Sequence, residues 1–172
     1  KPPKHFIQLL ARAAARGGNL LMNIGPRGDG TFAPEDEQTL QAIGQWWAVN
    51  AESIRGTQRS PLASQSWGES TLKGNRLYLH VFDWPEDGCL VVGGLGGEIR
   101  SAALLSDSTR ELPFERQGRD VELRLPEFPP DAANSVIVVE FTDSPSGDGL
   151  PLLQTNYTNT LSVFSGELLG GS

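Results

Sequence analysis

The sequence predicts an α/β segment that hands the chain on to an all-β antiparallel sandwich. Three observations predict it. Residues 1–57 alternate helical, strand-like and helical patterns. From about residue 58 the apolar period drops to two. The short alternating runs that follow are separated by Gly-, Pro- and Asp-rich turns at roughly the 8–12-residue spacing of sandwiches.

Within 1–57, "HFIQLLARAAAR" carries Phe6, Leu10, Ala13 and Ala14 on one helical stripe, and Gly17-Gly18 is its stop. "NLLMNI", 19–24, is nearly continuous in apolar residues and short, as a parallel strand buried on both faces would be. A second helix opens at Pro34, where Glu35, Asp36 and Glu37 suit the positive end of its dipole. Leu40, Ile43, Trp47 and Ile54 form its inner stripe, Trp46 turns toward a neighbouring element, and Arg55-Gly56 ends it. One parallel strand between two helices is not a complete fold, because such strands need partners on both edges. Residues 1–57 therefore read as the last part of a larger α/β domain.

Residues 58–142 carry the sandwich pattern. "NRLYLHVFDW" sets Leu77, Leu79 and Val81 against Tyr78, His80 and Phe82. His80 falls on the more polar face, which suits a structural or surface role. "CLVVGG", "EIRSAALLS", "LPFERQ", "RDVELRLP" and "NSVIVVEF" follow as strands, with "PEDG" and "DSTR" as connections. Residues 143–172 read as a flexible linker, "SPSGDG", and a tail with a weak strand and an Asn156-Tyr157-Thr158 sequon.

Composition excludes several functions. Net charge is −7, and no basic stripe interleaves with aromatics, so no nucleic-acid partner is expected. No apolar run reaches about 20 residues, so no membrane insertion is expected. Arg12 and Arg16 interrupt the apolar part of the N-terminal stretch, unlike a secretory signal. With no initiator Met, the chain reads as beginning mid-protein. The single Cys89 precludes an internal disulfide and a Cys-rich zinc site, and two histidines preclude a multi-His metal site. No metal or cofactor is called for.

"GPRGDGT", 25–31, sits between the expected strand and helix, the right context for a phosphate loop. The residues refuse that reading. Thr31-Phe32 follows Gly30 where a P-loop needs Lys and a hydroxyl residue. Glycines at 25, 28 and 30 do not make a dinucleotide fingerprint, Pro26 lacks a donor, and three acids open the helix. Two readings remain open: a βα turn closed at Asp29-Gly30, or a loop at a strand's carboxyl end whose Asn23 and Arg27 approach a ligand. A retaining glycosidase needs two carboxylates about 5–5.5 Å apart. Asp29, Glu35–Glu37, Asp83, Asp87 and Glu122 supply no convincing pair, so no catalytic residue is assigned to this chain. Trp46, Trp47, Trp67 and Trp84 suit core packing as well as sugar stacking.

"GGNLLMNIGPRGDGTFAPEDEQTLQAIGQWWAVNAESIRGT" closely resembles the end of the catalytic domain of glycoside hydrolase family 29, the α-L-fucosidases. The pattern joins G-G-N-L-L-x-N-I-G-P, D-G, G-x-W-x-x-x-N and I-x-G-T. "WGESTLKGNRLYLHVFDWP" and "SVIVVEF" resemble the family's C-terminal sandwich, so the likeness runs over roughly 5–141. It implies a (β/α)8-like barrel with "NLLMNI" at or near its eighth strand, then the sandwich. It also implies retaining hydrolysis of terminal α-L-fucose on glycans by an Asp nucleophile and a Glu acid/base, both upstream of this sequence. Asn23, Gly25 and Pro26 carry over as part of the pocket rim. The implied partners are fucosylated glycans, reached through the complete barrel, and the chain alone is expected to be inactive and to self-associate. The alternatives are a carbohydrate-binding sandwich acting through Trp67 or Trp84, a purely structural sandwich, and a non-catalytic family member.

Overall fold

The computed structural model describes residues 1–150. The sequon and the weak strand expected in the tail lie outside them. Two helices come first, α1 (Pro3–Ala15) and α2 (Pro34–Asn50), and α2 runs into one 3-10 turn, Ala51–Ser53. Both helices carry proline in the first turn, where a missing N–H costs nothing. α1 stops as expected. Gly17 takes φ +75°, its N–H donates to Ala14 O (2.9 Å), and Gly18 N–H donates to Ala13 O (2.8 Å).

Eleven short strands follow among the described residues: β1 (Gln58–Arg59), β2 (Gly68–Lys73), β3 (Arg76–Val81), β4 (Cys89–Val92), β5 (Leu95–Gly96), β6 (Ile99–Leu104), β7 (Asp107–Glu111), β8 (Phe114–Gln117), β9 (Asp120–Arg124), β10 (Ser135–Phe141) and β11 (Ser146–Gly147). They form an antiparallel six-stranded sheet ordered β1-β2-β3-β10-β6-β7, a three-stranded sheet β4-β9-β8, and a small β5-β11 pair.

The two larger sheets enclose the main core. Leu77, Leu79 and Val81 of β3, Leu90 and Val92 of β4, Val121 and Leu123 of β9, and Ile137 and Val139 of β10 meet there. Trp67 is fully buried among them, and its indole N–H donates to Val91 O at 2.9 Å. The period-two pattern thus places the alternating aliphatics where the sequence predicts.

The opposite face of the six-stranded sheet is also covered. Ile7 of α1 and Trp46 of α2 pack on Tyr78, Ala103, Val136 and Val138. The helices are therefore a third layer, and the central strands β3 and β10 are buried on both faces. This alters the expected helical stripes. On α1, Ile7, Ala11 and Ala15 are the buried residues, whereas Phe6, Leu10, Ala13 and Ala14 are half-buried. On α2, Trp46 is buried against the sandwich, and Trp47 lies at the edge of the cluster with the Arg55 guanidinium over its ring.

Two expectations fail locally. "NLLMNI" forms no strand: residues 18–27 are irregular, and Leu21 is 86% exposed. No strand among the described residues lies beside this stretch to take its N–H and C=O groups, and a parallel strand does not exist unpaired. "DSTR" is not a connection but most of β7, an edge strand exposed throughout. A strand with neither face buried has no apolar alternation to read. β2 is hidden for a related reason, because its two most buried residues are Ser70 and Thr71.

Removing the Trp67 side chain would open a void at the centre of the sandwich and strip Val91 O of its donor. Trp67→Ala is expected to cost about 3–5 kcal/mol. Urea denaturation would read this as a lower midpoint, and a change below about 1 kcal/mol would contradict the packing described.

Candidate functional site

The segment between the helices holds Asn23, Gly25 and Pro26, all exposed. A tight turn follows them: Gly30 N–H donates to Arg27 O (2.9 Å) and Arg27 N–H to Thr31 O (2.7 Å), with Gly30 at φ +84°. Asp29 Oδ1 accepts from both the backbone N–H (3.0 Å) and the hydroxyl (2.8 Å) of Thr31. Those bonds, the backbone one first, hold the Asp29 carboxyl below its ordinary range. Asp29 is thus engaged in shaping its own turn, as the turn reading of the motif requires.

His80 lies in the seam between the sheet and the helices, with no exposure. Thr71 Oγ1 donates to Ser53 O (2.6 Å), so His80 Nε2–H donates to Thr71 Oγ1 (3.2 Å), and Asn134 Nδ2 donates to His80 Nδ1 (3.1 Å). Both ring nitrogens are occupied. Burial lowers the imidazole from its ordinary 6.5 to about 4, opposed only in part by the Ser53 backbone and Asn134 bonds. His80 is a neutral structural residue on a face that the helices make dry. The sequence suggested a structural or surface role, and the structural half is what the fold uses.

The other chemical groups are similarly committed. Tyr78 O–H donates to Glu52 Oε1 at 2.5 Å, and Arg76 bridges Glu52 and Glu140 at 2.7 Å each. Burial, with the Glu52 bond next, pushes the Tyr78 hydroxyl up to about 12. Glu122 pairs with Arg124. Burial, then Glu122, pushes the Cys89 thiol up to about 11, which removes it as a nucleophile at neutral pH. Trp67 is in the core, and Trp84 N–H donates to Pro126 O (3.0 Å). No cluster of three or more His, Cys, Asp or Glu that could hold a metal occurs among the described residues.

One concavity among the described residues is a cleft of about 650 Å³ between the end of α1 and the β1–β2 edge. Arg16, Arg59, Ser60, Glu69 and Ser70 line it, with Pro61, Leu62 and Ala63 as an apolar wall. Sequence reading missed this cleft. Its residues are far apart in the chain, and β2, which supplies Glu69, leaves no alternating pattern.

The α-L-fucosidase family profile matches residues 1–52. An α-L-fucosidase from Dictyostelium discoideum is 31% identical over 146 residues, 78% of this chain and 31% of its own. One from Branchiostoma floridae is 39% identical over 93 residues, covering 51% of this chain and 20% of its own. The chain belongs to the α-L-fucosidase family. Among solved structures, α-L-fucosidase isoenzyme 1 from Paenibacillus thiaminolyticus superposes with a TM-score of 0.77 at 30% identity, over 83% of this chain and 35% of that one. A family 29 α-L-fucosidase from Bacteroides thetaiotaomicron, captured as a trapped covalent intermediate, gives 0.74 at 27% identity over 81% of this chain and 32% of that one. These fucosidases therefore share most of the described fold. The chain spans between a fifth and about a third of the length of these relatives.

The His80 seam makes a pH prediction. Its folded pKa lies below its unfolded one, so the unfolded chain binds the extra proton. Stability from this group is complete above about pH 6.5 and declines as pH falls toward 4, by about 3 kcal/mol in all. Urea midpoints between pH 7 and 4 should fall more steeply for the native chain than for His80→Gln, and equal slopes would assign the acid sensitivity elsewhere.

Proposed function

We propose that this chain is the C-terminal part of a retaining α-L-fucosidase that removes terminal α-L-fucose from glycans. In this reading residues 1–57 are the last strand and helices of a (β/α)8-like barrel, and 58–142 are the sandwich that follows. The nucleophile and acid/base belong to the preceding chain, and the 172 residues alone do not turn over substrate. The observation that carries the reading is the state of 19–24. This apolar stretch has the composition of a buried strand, yet Leu21 is 86% exposed and no strand among the described residues stands beside it. The barrel sheet would supply both missing neighbours and cover Leu21. Asn23, Gly25 and Pro26, just past the strand's carboxyl end, would then lie on the pocket rim, where barrel enzymes keep their sites.

The engaged carboxylates support inactivity of the chain alone. Asp29 is tied to Thr31, Glu52 to Tyr78 and Arg76, and Glu122 to Arg124. A carbohydrate-binding role through Trp67 is disfavoured by its full burial.

Assay with an aryl α-L-fucoside is expected to show no turnover by the purified chain. Turnover abolished by mutating one of its own carboxylates would overturn the assignment. An uncovered apolar stretch promotes association. Light scattering should therefore find species above the monomer, reduced by Leu21→Lys. A monomer with slow amide exchange at 20–24 would show instead that this stretch is satisfied within the chain.

A further inference from the structure

The cleft beside α1 has a net positive lining on an acidic chain. The chain carries a net charge of −7, yet the cleft lining has two guanidiniums, Arg16 and Arg59, and one carboxylate, Glu69. Arg16 Nη2 reaches Glu69 Oε1 at 3.2 Å and stays 74% exposed, so much of its donor fork faces solvent. The Arg59 guanidinium forms no ion pair or hydrogen bond among the described residues. Arg12, held 5.0 Å from the Phe82 ring centroid, adds positive potential at Glu69 from behind.

The nearby helix end does not cancel this charge. The Ala13 and Ala14 carbonyls accept from Gly18 and Gly17, and Ala15 O accepts from Ser60 N–H at 3.1 Å. The last carbonyls of α1 are therefore occupied by backbone donors. Opposite the arginines, Pro61 and Leu62 offer an apolar wall, and the volume of about 650 Å³ admits a small saccharide.

We propose that this cleft binds an acidic sugar, one bearing a carboxylate or a sulfate, on the glycans handled by the enzyme. The guanidinium of Arg59 would grip the anion in a forked pair, with Arg16 beside it and the sugar's C–H face on Pro61 and Leu62. The sugar part of the inference rests on the glycosidase reading above, and the anion part rests on the cleft alone.

Calorimetric titration of the 172-residue chain with sialyllactose, sulfated lactose, neutral lactose and inorganic sulfate tests the site. Binding of at least one acidic saccharide is expected, at least about ten-fold tighter than lactose or sulfate alone and weakened by added salt. Arg59→Gln breaks no side-chain hydrogen bond or ion pair among the described residues and should weaken that binding at least about five-fold. Equal binding of lactose, equal binding of free sulfate, no binding by either acidic sugar, or indifference to Arg59→Gln would each overturn the proposal. The glycosidase reading fails separately. A full-length enzyme without fucosidase turnover, whose C-terminal part still binds acidic sugars, would remove that reading and leave the cleft. Turnover without acidic-sugar binding would do the reverse.

Discussion

The outer face of the six-stranded sheet has to be dry, and much of the molecule is arranged to make it so. Tyr78 and His80 project from β3 onto that face with no exposure. Polar groups placed there cost several kcal/mol unless each finds a partner. Both helices are hooked onto the turn ahead of β10 that supplies one such partner. Gln8 of α1 donates to Ala133 O (3.0 Å), and Trp46 of α2 donates to Asn134 O (2.8 Å). The Asn134 side chain then meets His80, while Asp131 Oδ1 accepts from Ala133 N–H (2.7 Å) and Asn134 N–H (3.2 Å) to hold the turn in shape. The 3-10 turn after α2 completes the enclosure, with Ser53 O accepting from Thr71 and Glu52 from Tyr78. Helical layer and sheet are joined by hydrogen bonds as well as by apolar contact.

This arrangement explains which parts of the fold were legible in the sequence. β3, β9 and β10 announce themselves because one set of alternating residues enters a core. The faces opposite were harder to assign. A strand buried on both sides by different layers keeps polar residues on one of them, so Tyr78 and His80 look like solvent-facing residues until the helices are placed. Trp46 and Trp47 pose the same problem on α2. Their adjacency requires divergent directions, but the choice of the buried one depends on where Asn134 O lies. β7 and β2 were illegible for lack of any apolar period. The tight turn at Asp29-Gly30 was one of two readings the sequence left open, and bonds spanning no more than four residues form it.

The candidate site divides along the same line. What the sequence could exclude, it excluded by local chemistry: a phosphate loop fails on Pro26, glycine spacing and three acids. What it could not find is the cleft at Arg16, Arg59 and Glu69, since that cleft exists only once α1 crosses the β1–β2 edge. Assignment to the α-L-fucosidases came from the residues around the loop, and the sandwich then matched those enzymes as a fold.

The exposed stretch at 19–24 and the buried seam at His80 are two solutions to one constraint. Backbone and side-chain polar groups must be paired wherever water is excluded. In the seam all but one of the buried side-chain polar atoms find partners among the described residues, the exception being Asn134 Oδ1. At 19–24 no strand among the described residues supplies partners, and Leu21 lies out in water while Leu20, Met22 and Ile24 are half-buried. Leu21 is exposed for this reason and not for want of hydrophobicity. A strand laid on either side of residues 19–24 would exclude water, pair the backbone and bury Leu21 together. The apolar run and the open edges among the described residues are therefore a single observation.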